Sequence, residues 1–344
     1  MPKKRILLTG ATGLVGSRLL KDLLDAGNDV VAMKRENSGM LNVNRLLTGN
    51  EQGSVTWITG DVTDIFSVDE ALEGTDTVYH AAAFISFHSS DRQRMMKVNA
   101  GGTANMVNLS VKHGIRRFCH ISSVAAIGRE AGAGIIDENS VWKTSRDNSN
   151  YAISKYAAER EVWRAMEEGL NAFIINPSIV VGPGDWHTGS SMMFSQVWKG
   201  FPFYSSGVTG FVDVRDVSKS AMLLMEKEIS GERFIVSSEN VSFRFVFDEI
   251  AEALGKRKPS VMVGKRLASI GWRLEAVRSA FSGTKPMITK ETAHSSQMKW
   301  FYSNEKVKKT AGIEFITVKD AIRETARYFS EENSVNQPAV IRPA

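Results

Sequence analysis

Leu8-Thr9-Gly10-Ala11-Thr12-Gly13-Leu14-Val15-Gly16 is entered by the apolar run Ile6-Leu7-Leu8 and left by a helical pattern that lines Leu14, Leu19, Leu20, Leu23 and Leu24 along one face. Strand, turn and helix in that order predict the first βαβ unit of a nucleotide-binding fold, and a second apolar strand, Asp29 to Met33, follows at the expected distance. Within the turn, Gly10 can take backbone angles closed to other residues, Gly13 lets a pyrophosphate approach the main chain, and Gly16 lets the helix lie close to its strand. Free N–H groups at the positive end of the helix would receive the phosphates, which makes Gly10, Thr12, Gly13, Leu14, Val15 and Gly16 candidate cofactor ligands. Glycines at this spacing also close turns that hold nothing; the flanking strand and helix supply the weight.

Beyond the second strand stand Lys34 and Arg35, where such a fold inspects the adenosine ribose. An acidic residue there would accept the ribose hydroxyls, whereas these two cations would attract a 2′-phosphate, so NADP is favoured over NAD. The third strand, Val55 to Thr59, ends in Gly60-Asp61-Val62, a carboxylate beside a backbone amide that suits an adenine; Asp61 as a plain turn former is the competing reading. The fourth strand, Thr77 to His80, runs into Ala81-Ala82-Ala83, small enough for a cofactor to lie against the backbone. Asn99 is a polar amide inside an apolar, small-residue helix, which suggests a directed hydrogen bond. The fifth strand, Arg117 to Ile121, delivers Ser122-Ser123 to the carboxyl edge where open parallel sheets bind ligands.

Periodicity then disappears between Gly128 and Asn150, a long loop of the kind that usually serves function. It ends at Asn150-Tyr151-Ala152-Ile153-Ser154-Lys155, the start of a helix in which Tyr151 and Lys155 stand one turn apart, so the ammonium is expected to favour phenolate and lower the Tyr151 pKa. Tyr302 and Lys306 repeat the spacing without a serine pair or glycine turn, and read as structural. Further on, Ala172 to Pro177 and Arg233 to Val236 read as strands, and Met192 to Trp198, Asp216 to Met225, Phe245 to Leu254 and Thr317 to Phe329 as helices; residues 331–344 read as a frayed tail.

With 42% hydrophobic residues in 344, the chain can build large cores, and no apolar run is long enough to span a bilayer. The start of the chain runs straight into a strand, so no signal peptide and a cytoplasmic location are expected. Cys119, the single cysteine, lies in an apolar strand, which excludes an intrachain disulfide. Six scattered histidines lack metal-ligand spacing and there is no Gly-x-Ser-x-Gly elbow, so neither a metal site nor hydrolase chemistry is expected. The net charge of +5 is spread out, and its clusters, Lys256-Arg257-Lys258 and Lys306 to Lys309, have no interleaved aromatics, which argues against nucleic acid.

The glycine turn, Asp61-Val62, Ala81-Ala82-Ala83, Asn99, Ser123 and Tyr151/Lys155, in that order, resemble the extended short-chain dehydrogenase/reductase superfamily, nearest to its dihydroflavonol reductase and 3β-hydroxysteroid dehydrogenase branch. The resemblance implies an α/β fold with a Rossmann-type doubly wound parallel sheet (residues 1–180 and about 211–240) and a smaller, mostly helical substrate-binding region (about 181–210 and 241–330). It also implies hydride transfer between NADP or NAD and a carbonyl or secondary alcohol. Tyr151 would then move the hydroxyl proton, Ser123, or Ser122 if the register is off by one, would bond the substrate oxygen, and Lys155 would hold the nicotinamide ribose. Asn99 would hold a water in the proton path, and Pro177, Ile179 and Val180 would back the nicotinamide. A homodimer acting on a small, fairly apolar molecule is implied, with a pocket from the 129–150 loop, Trp186 to Trp198, and Met262 to Met298. Two alternatives stand beside this reading: an epimerase or dehydratase acting on a nucleotide sugar with the same Ser-Tyr-Lys site, and a non-catalytic dinucleotide sensor. The sugar-nucleotide enzymes usually carry an Arg before their Phe-Val-x-Val element, where this chain has Thr209-Gly210 ahead of Phe211-Val212-Asp213-Val214.

Overall fold

A computed structural model describes residues 5–129, 134–145, 148–227, 229–264, 267, 272–273 and 289–335. Seven strands form the central sheet: β1 (Arg5–Thr9), β2 (Asp29–Lys34), β3 (Ser54–Thr59), β4 (Thr77–His80), β5 (Arg117–Ile121), β7 (Ala172–Pro177) and β11 (Glu232–Val236). Their order is β11-β7-β5-β4-β1-β2-β3 and every pairing is parallel. Thr9 is level with Met33 on one side and His80 on the other, and His80 with His120, so the central strand tips end together. The chain reverses direction of travel across the sheet between β1 and β4, the switch point at which such sheets open a crevice.

Alternation along β1 divides the core. Leu8 packs with Leu19, Leu20 and Leu23 of α1 (Leu14–Asp25) and with Val217 and Leu224 of α8 (Val214–Glu226). Leu7 joins the opposite layer with Val78, Phe118, Met106 of α5 (Gly102–Lys112) and Val162 of α6 (Asn150–Glu167). Period-two side chains on a sheet with helices on both faces require both sets to be apolar. Helix starts are set by short polar caps: Ser149 accepts from Ala152 N–H to open α6, and Asp213 from Arg215 N–H to open α8. Cys119 is fully buried.

The remaining region is mostly helical. It carries β8 (Ile179–Val181), β10 (Val208–Asp213) and β12 (Glu239–Ser242) in one small sheet, beside α7 (Met192–Trp198), α9 (Phe243–Ala253) and the C-terminal helix Val318–Val335. Three expectations are corrected here. The stretch from Trp186 to Trp198 is core rather than pocket: Trp186 meets Phe329 edge-on at 5.0 Å, and Phe194 and Val197 are buried with them. The 128–150 loop is not wholly irregular, because β6 (Ile135–Ile136) pairs with Phe301–Tyr302. The last helix runs beyond Phe329 to Val335, since Arg45 forms an ion pair with Glu332 and also donates to the Pro183 and Gly184 carbonyls, which holds the helix end down. The rest of the expected tail and most of Met262 to Met298 lie outside the described residues. Among the described residues, no helix is long and apolar enough to cross a membrane.

Candidate active site at the switch-point crevice

The glycine turn joins β1 to α1 at the crevice. Gly10 has φ +70°, and a Cβ there would stand 2.6 Å from the Ala81 carbonyl and the Ala82 nitrogen, so this glycine seats the turn against the tip of β4. At Gly16 a Cβ would stand 2.0 Å from the Gly10 carbonyl oxygen, which fixes close contact of turn and helix. Gly13 differs: its nearest obstacle is the Gly10 oxygen at 3.3 Å, and the residue is exposed. No side chain caps α1, and the Gly13 carbonyl receives its first helical bond from Ser17 N–H at 2.9 Å. An open glycine face ahead of uncapped amides fits a dinucleotide pyrophosphate. Thr12, Leu14 and Val15 lie along the same turn, half-buried.

Lys34 ends β2, and Arg35 begins the following turn, where its amide donates to Ser38 Oγ at 3.1 Å. Asp61 closes its own turn, Oδ1 accepting from the Thr63 amide at 2.8 Å and the Thr63 hydroxyl at 2.9 Å. Val62 packs inward: a Cβ at Gly102 would stand 2.6 Å from its methyl, and Asn105 donates to its carbonyl at 3.0 Å. The Ala82 amide donates to Thr9 Oγ1, Ala81 and Ala82 are half-buried, and Ala83 is exposed. Ile179 and Val180 are half-buried beyond Pro177.

Tyr151, Lys155 and Ser123 are brought together where the start of α6 crosses the tip of β5. Ser123 is half-exposed, and its side chain faces the phenol as a hydrogen-bonding neighbour that draws the Tyr151 pKa down. Ser122 is buried and is turned toward Glu159, though without strict hydrogen-bond geometry. Lys155 is 1% exposed, and its Nζ donates to the Ile121 carbonyl at 2.9 Å. The expected Lys155-driven lowering of the phenol is not what the structure gives. Burial pushes Tyr151 above its ordinary value, and the opposing influences are Ser123 and the charge of Arg129, not Lys155. Burial likewise lowers Lys155 to about 8, resisted by Glu159. Phe87 sets its ring against Tyr151 at 6.2 Å and, like Ile85, is exposed.

Asn99 sits in a wide, π-type turn, Met96–Gly101. Its Oδ1 accepts from Phe84 N–H at 2.7 Å, and its Nδ2 donates to the Phe84 carbonyl at 3.0 Å and to Ser154 Oγ at 2.9 Å. Both amide protons are therefore committed to holding the chain after β4 against the first turns of α6. His80 bridges Thr9 and Thr103 from full burial, which lowers its pKa to about 3 and keeps it neutral. Among the described residues, no group of three or more His, Cys, Asp or Glu could hold a metal. Sequence reasoning passed over Arg129, Glu159 and Asn176. The signals were a carboxylate one turn beyond Lys155, and an amide in the otherwise apolar Phe173-Ile174-Ile175-Asn176.

Comparisons with known proteins bear on the family and the fold. A family model described as the NAD dependent epimerase/dehydratase family matches residues 6–237. The chain is 32% identical to sterol demethylase protein B of Methylococcus capsulatus, over 76% of this chain and 78% of that one. It is 28% identical to a 3 beta-hydroxysteroid dehydrogenase/Delta 5-->4-isomerase of Mycobacterium tuberculosis, over 94% and 90%. The crystal structure of gox2253 superposes with a TM-score of 0.80 at 28% identity, covering 96% of this chain and 99% of that one.

Proposed function

We propose, from the premise that this chain belongs to the NAD dependent epimerase/dehydratase family, that it is an NAD(P)-dependent oxidoreductase acting on a carbonyl or secondary alcohol of a small, fairly apolar molecule. The observation that carries the reading is that Tyr151 faces Ser123 beyond the tip of β5 while Lys155 bonds the Ile121 carbonyl of that strand, two strands across the sheet from the one that leads into the glycine turn. A nicotinamide held in the crevice would supply or accept the hydride. Tyr151 gives or takes the hydroxyl proton, Ser123 holds the substrate oxygen, and Lys155 binds the ribose. The turn from Gly10 to Gly16 holds the pyrophosphate, Asp61, Val62 and Ala81 to Ala83 flank the adenosine side, and Pro177, Ile179 and Val180 back the nicotinamide. Asn99 orders the wall between β4 and α6. The exposed Phe87 ring beside the phenol, with Ile85 exposed two residues before it, supports an apolar substrate.

Lys34 and Arg35 support a preference for NADP over NAD. Residues 181–210 and 241–330 are assigned to the substrate side, and 1–180 with 211–240 to the cofactor side. A homodimer follows the superfamily resemblance, and a cytoplasmic location suits a lone buried cysteine. The test is oxidation of NADPH and NADH against a panel of ketones, aldehydes and sugar nucleotides. Net turnover of an apolar ketone or aldehyde is expected; interconversion of a sugar nucleotide with no net cofactor consumption would overturn the oxidoreductase reading.

A further inference from the structure

α6 carries a second buried ionisable side chain, one turn beyond Lys155 and on the same face. Glu159 is 1% exposed. Burying a carboxylate costs several kcal/mol, on the order of a mutation that unfolds a marginal domain, unless neighbours compensate it. Its polar neighbours come from β5, β7 and β11 and from Lys155 on its own helix. Asn176, fully buried at the end of β7, splits its two amide protons between the Glu159 carboxylate and the Ser123 carbonyl, the latter at 2.9 Å. Arg233 of β11 approaches Glu159 Oε2 at 3.6 Å while donating to the Glu138 and Ser140 carbonyls. Three consecutive residues at the tip of β5 therefore face this device: Ile121 bonds Lys155, Ser122 is turned to Glu159, and Ser123 is held by Asn176.

The groups around Lys155 leave Glu159 as its counter-charge. His80 of β4 and His120 of β5 both feel the ammonium, but burial holds both rings neutral. Tyr151, on the same helix, is pushed toward its neutral form. Glu159 is the charge that opposes the loss of the Lys155 proton, beside the Ile121 carbonyl that accepts from Nζ; burial pushes the Glu159 carboxyl above its ordinary value, and Ser122, Arg233, Asn176 and Lys155 oppose that rise.

We propose that Glu159 is a positioning residue for the reaction, a buried carboxylate that fixes the Ser123 backbone through Asn176 and stands as the counter-charge to Lys155. The proposal rests on the reading of Tyr151, Ser123 and Lys155 as the reacting constellation. Glu159→Gln keeps an acceptor for Asn176 and removes the charge, so it separates the two roles. Glu159→Asp keeps the charge on a shorter arm.

The experiment follows kcat and kcat/KM against pH for both variants with NADPH and a carbonyl compound the native protein reduces. In parallel, the Lys155 ammonium is titrated by NMR in protein carrying 13C-labelled lysine, with Lys155→Met assigning the resonance. Glu159→Gln is expected to move the alkaline limb of kcat/KM and the Lys155 titration downward together by about one pH unit. Glu159→Asp is expected to leave both in place and to lower kcat at least about fivefold through loss of the Asn176 contact. A Glu159→Gln protein with a lower unfolding midpoint but an unmoved limb and titration would reduce Glu159 to a structural residue. An unchanged kcat in Glu159→Asp would do the same for the Asn176 link, and carries the test alone if Glu159→Gln does not fold. If no carbonyl compound is turned over but the Lys155 titration shifts as stated, the functional reading fails and the counter-charge stands.

Discussion

Lys155 Nζ donates to the main-chain carbonyl of Ile121 at 2.9 Å, so the ammonium flanking Tyr151 in the helix is anchored to the strand that carries Ser123. Burial lowers its pKa from 10.5 to about 8. The sign has two consequences. On the proposed reading, in which this cation binds the ribose, it is lost as pH rises through about 8, so kcat/KM should fall on that limb. The folded state binds fewer protons here than the unfolded chain between about 8 and 10.5, so this group should make the protein more stable as pH rises through the same window. Activity and unfolding midpoint measured side by side check both; Lys155→Met should abolish this group's share of each pH dependence.

Tyr151→Phe keeps the ring packed against Phe87 and removes only the hydroxyl that faces Ser123. Turnover should drop by about 10²-fold or more, the scale of a lost general acid, with NADPH affinity changed only a few-fold. Retention of most activity would remove the phenol from the mechanism.

At the tip of β2, replacing Lys34 and Arg35 together with neutral residues should weaken NADP by about tenfold or more, or ~1.4 kcal/mol, and NAD far less. Titration of each nucleotide by fluorescence decides it; equal weakening would mean that the 2′-phosphate lies elsewhere.

Two glycines of one turn should behave differently. Gly16→Ala places a methyl 2.0 Å from the Gly10 oxygen and should destabilise the fold by roughly 1–3 kcal/mol. Gly13→Ala meets nothing nearer than 3.3 Å, so its unfolding midpoint should stay near native while dinucleotide affinity falls. Calorimetry and binding on the two variants separate the outcomes, and a Gly13→Ala protein binding as tightly as native would place the pyrophosphate away from this turn.

Arg45 is nearly buried, stacks over Trp186 at 5.0 Å and pairs with Glu332, whose carboxylate also accepts from the Trp186 indole at 2.7 Å. Arg45→Ala should destabilise by roughly 1–3 kcal/mol and release the end of the C-terminal helix. Hydrogen exchange should then rise first in the last turns of Val318–Val335; uniform exchange across the chain would contradict the local role.

The parallel sheet was readable because its inner strands carry apolar residues that two-sided burial explains, and because Gly10 and Gly16 admit nothing larger. Ser123 was readable because it follows β5, whose direction the sheet sets, and Tyr151 because it opens a helix that the Ser149 cap starts. Less could be read where partners lie far apart in the chain. Nothing near Phe329 announces that Arg45 will prolong the helix, and Ile135-Ile136 becomes a strand only beside Phe301-Tyr302. The electrostatic relation of Lys155 to Tyr151 failed for a related reason. Helical spacing brings two residues to one face but does not say which way a long side chain will reach, and here it reaches the sheet.

The wide turn at Met96–Gly101 accommodates about one residue more per revolution than a regular helix, which offsets the helical phase by roughly 100°. Asn99 thereby points at the Phe84 backbone while α5 keeps its own apolar side on the sheet. Removing a single residue from this turn would straighten the helix and spin Asn99 away, and the segment bearing Ile85 and Phe87 would lose its moorings although every crevice side chain remained in the sequence.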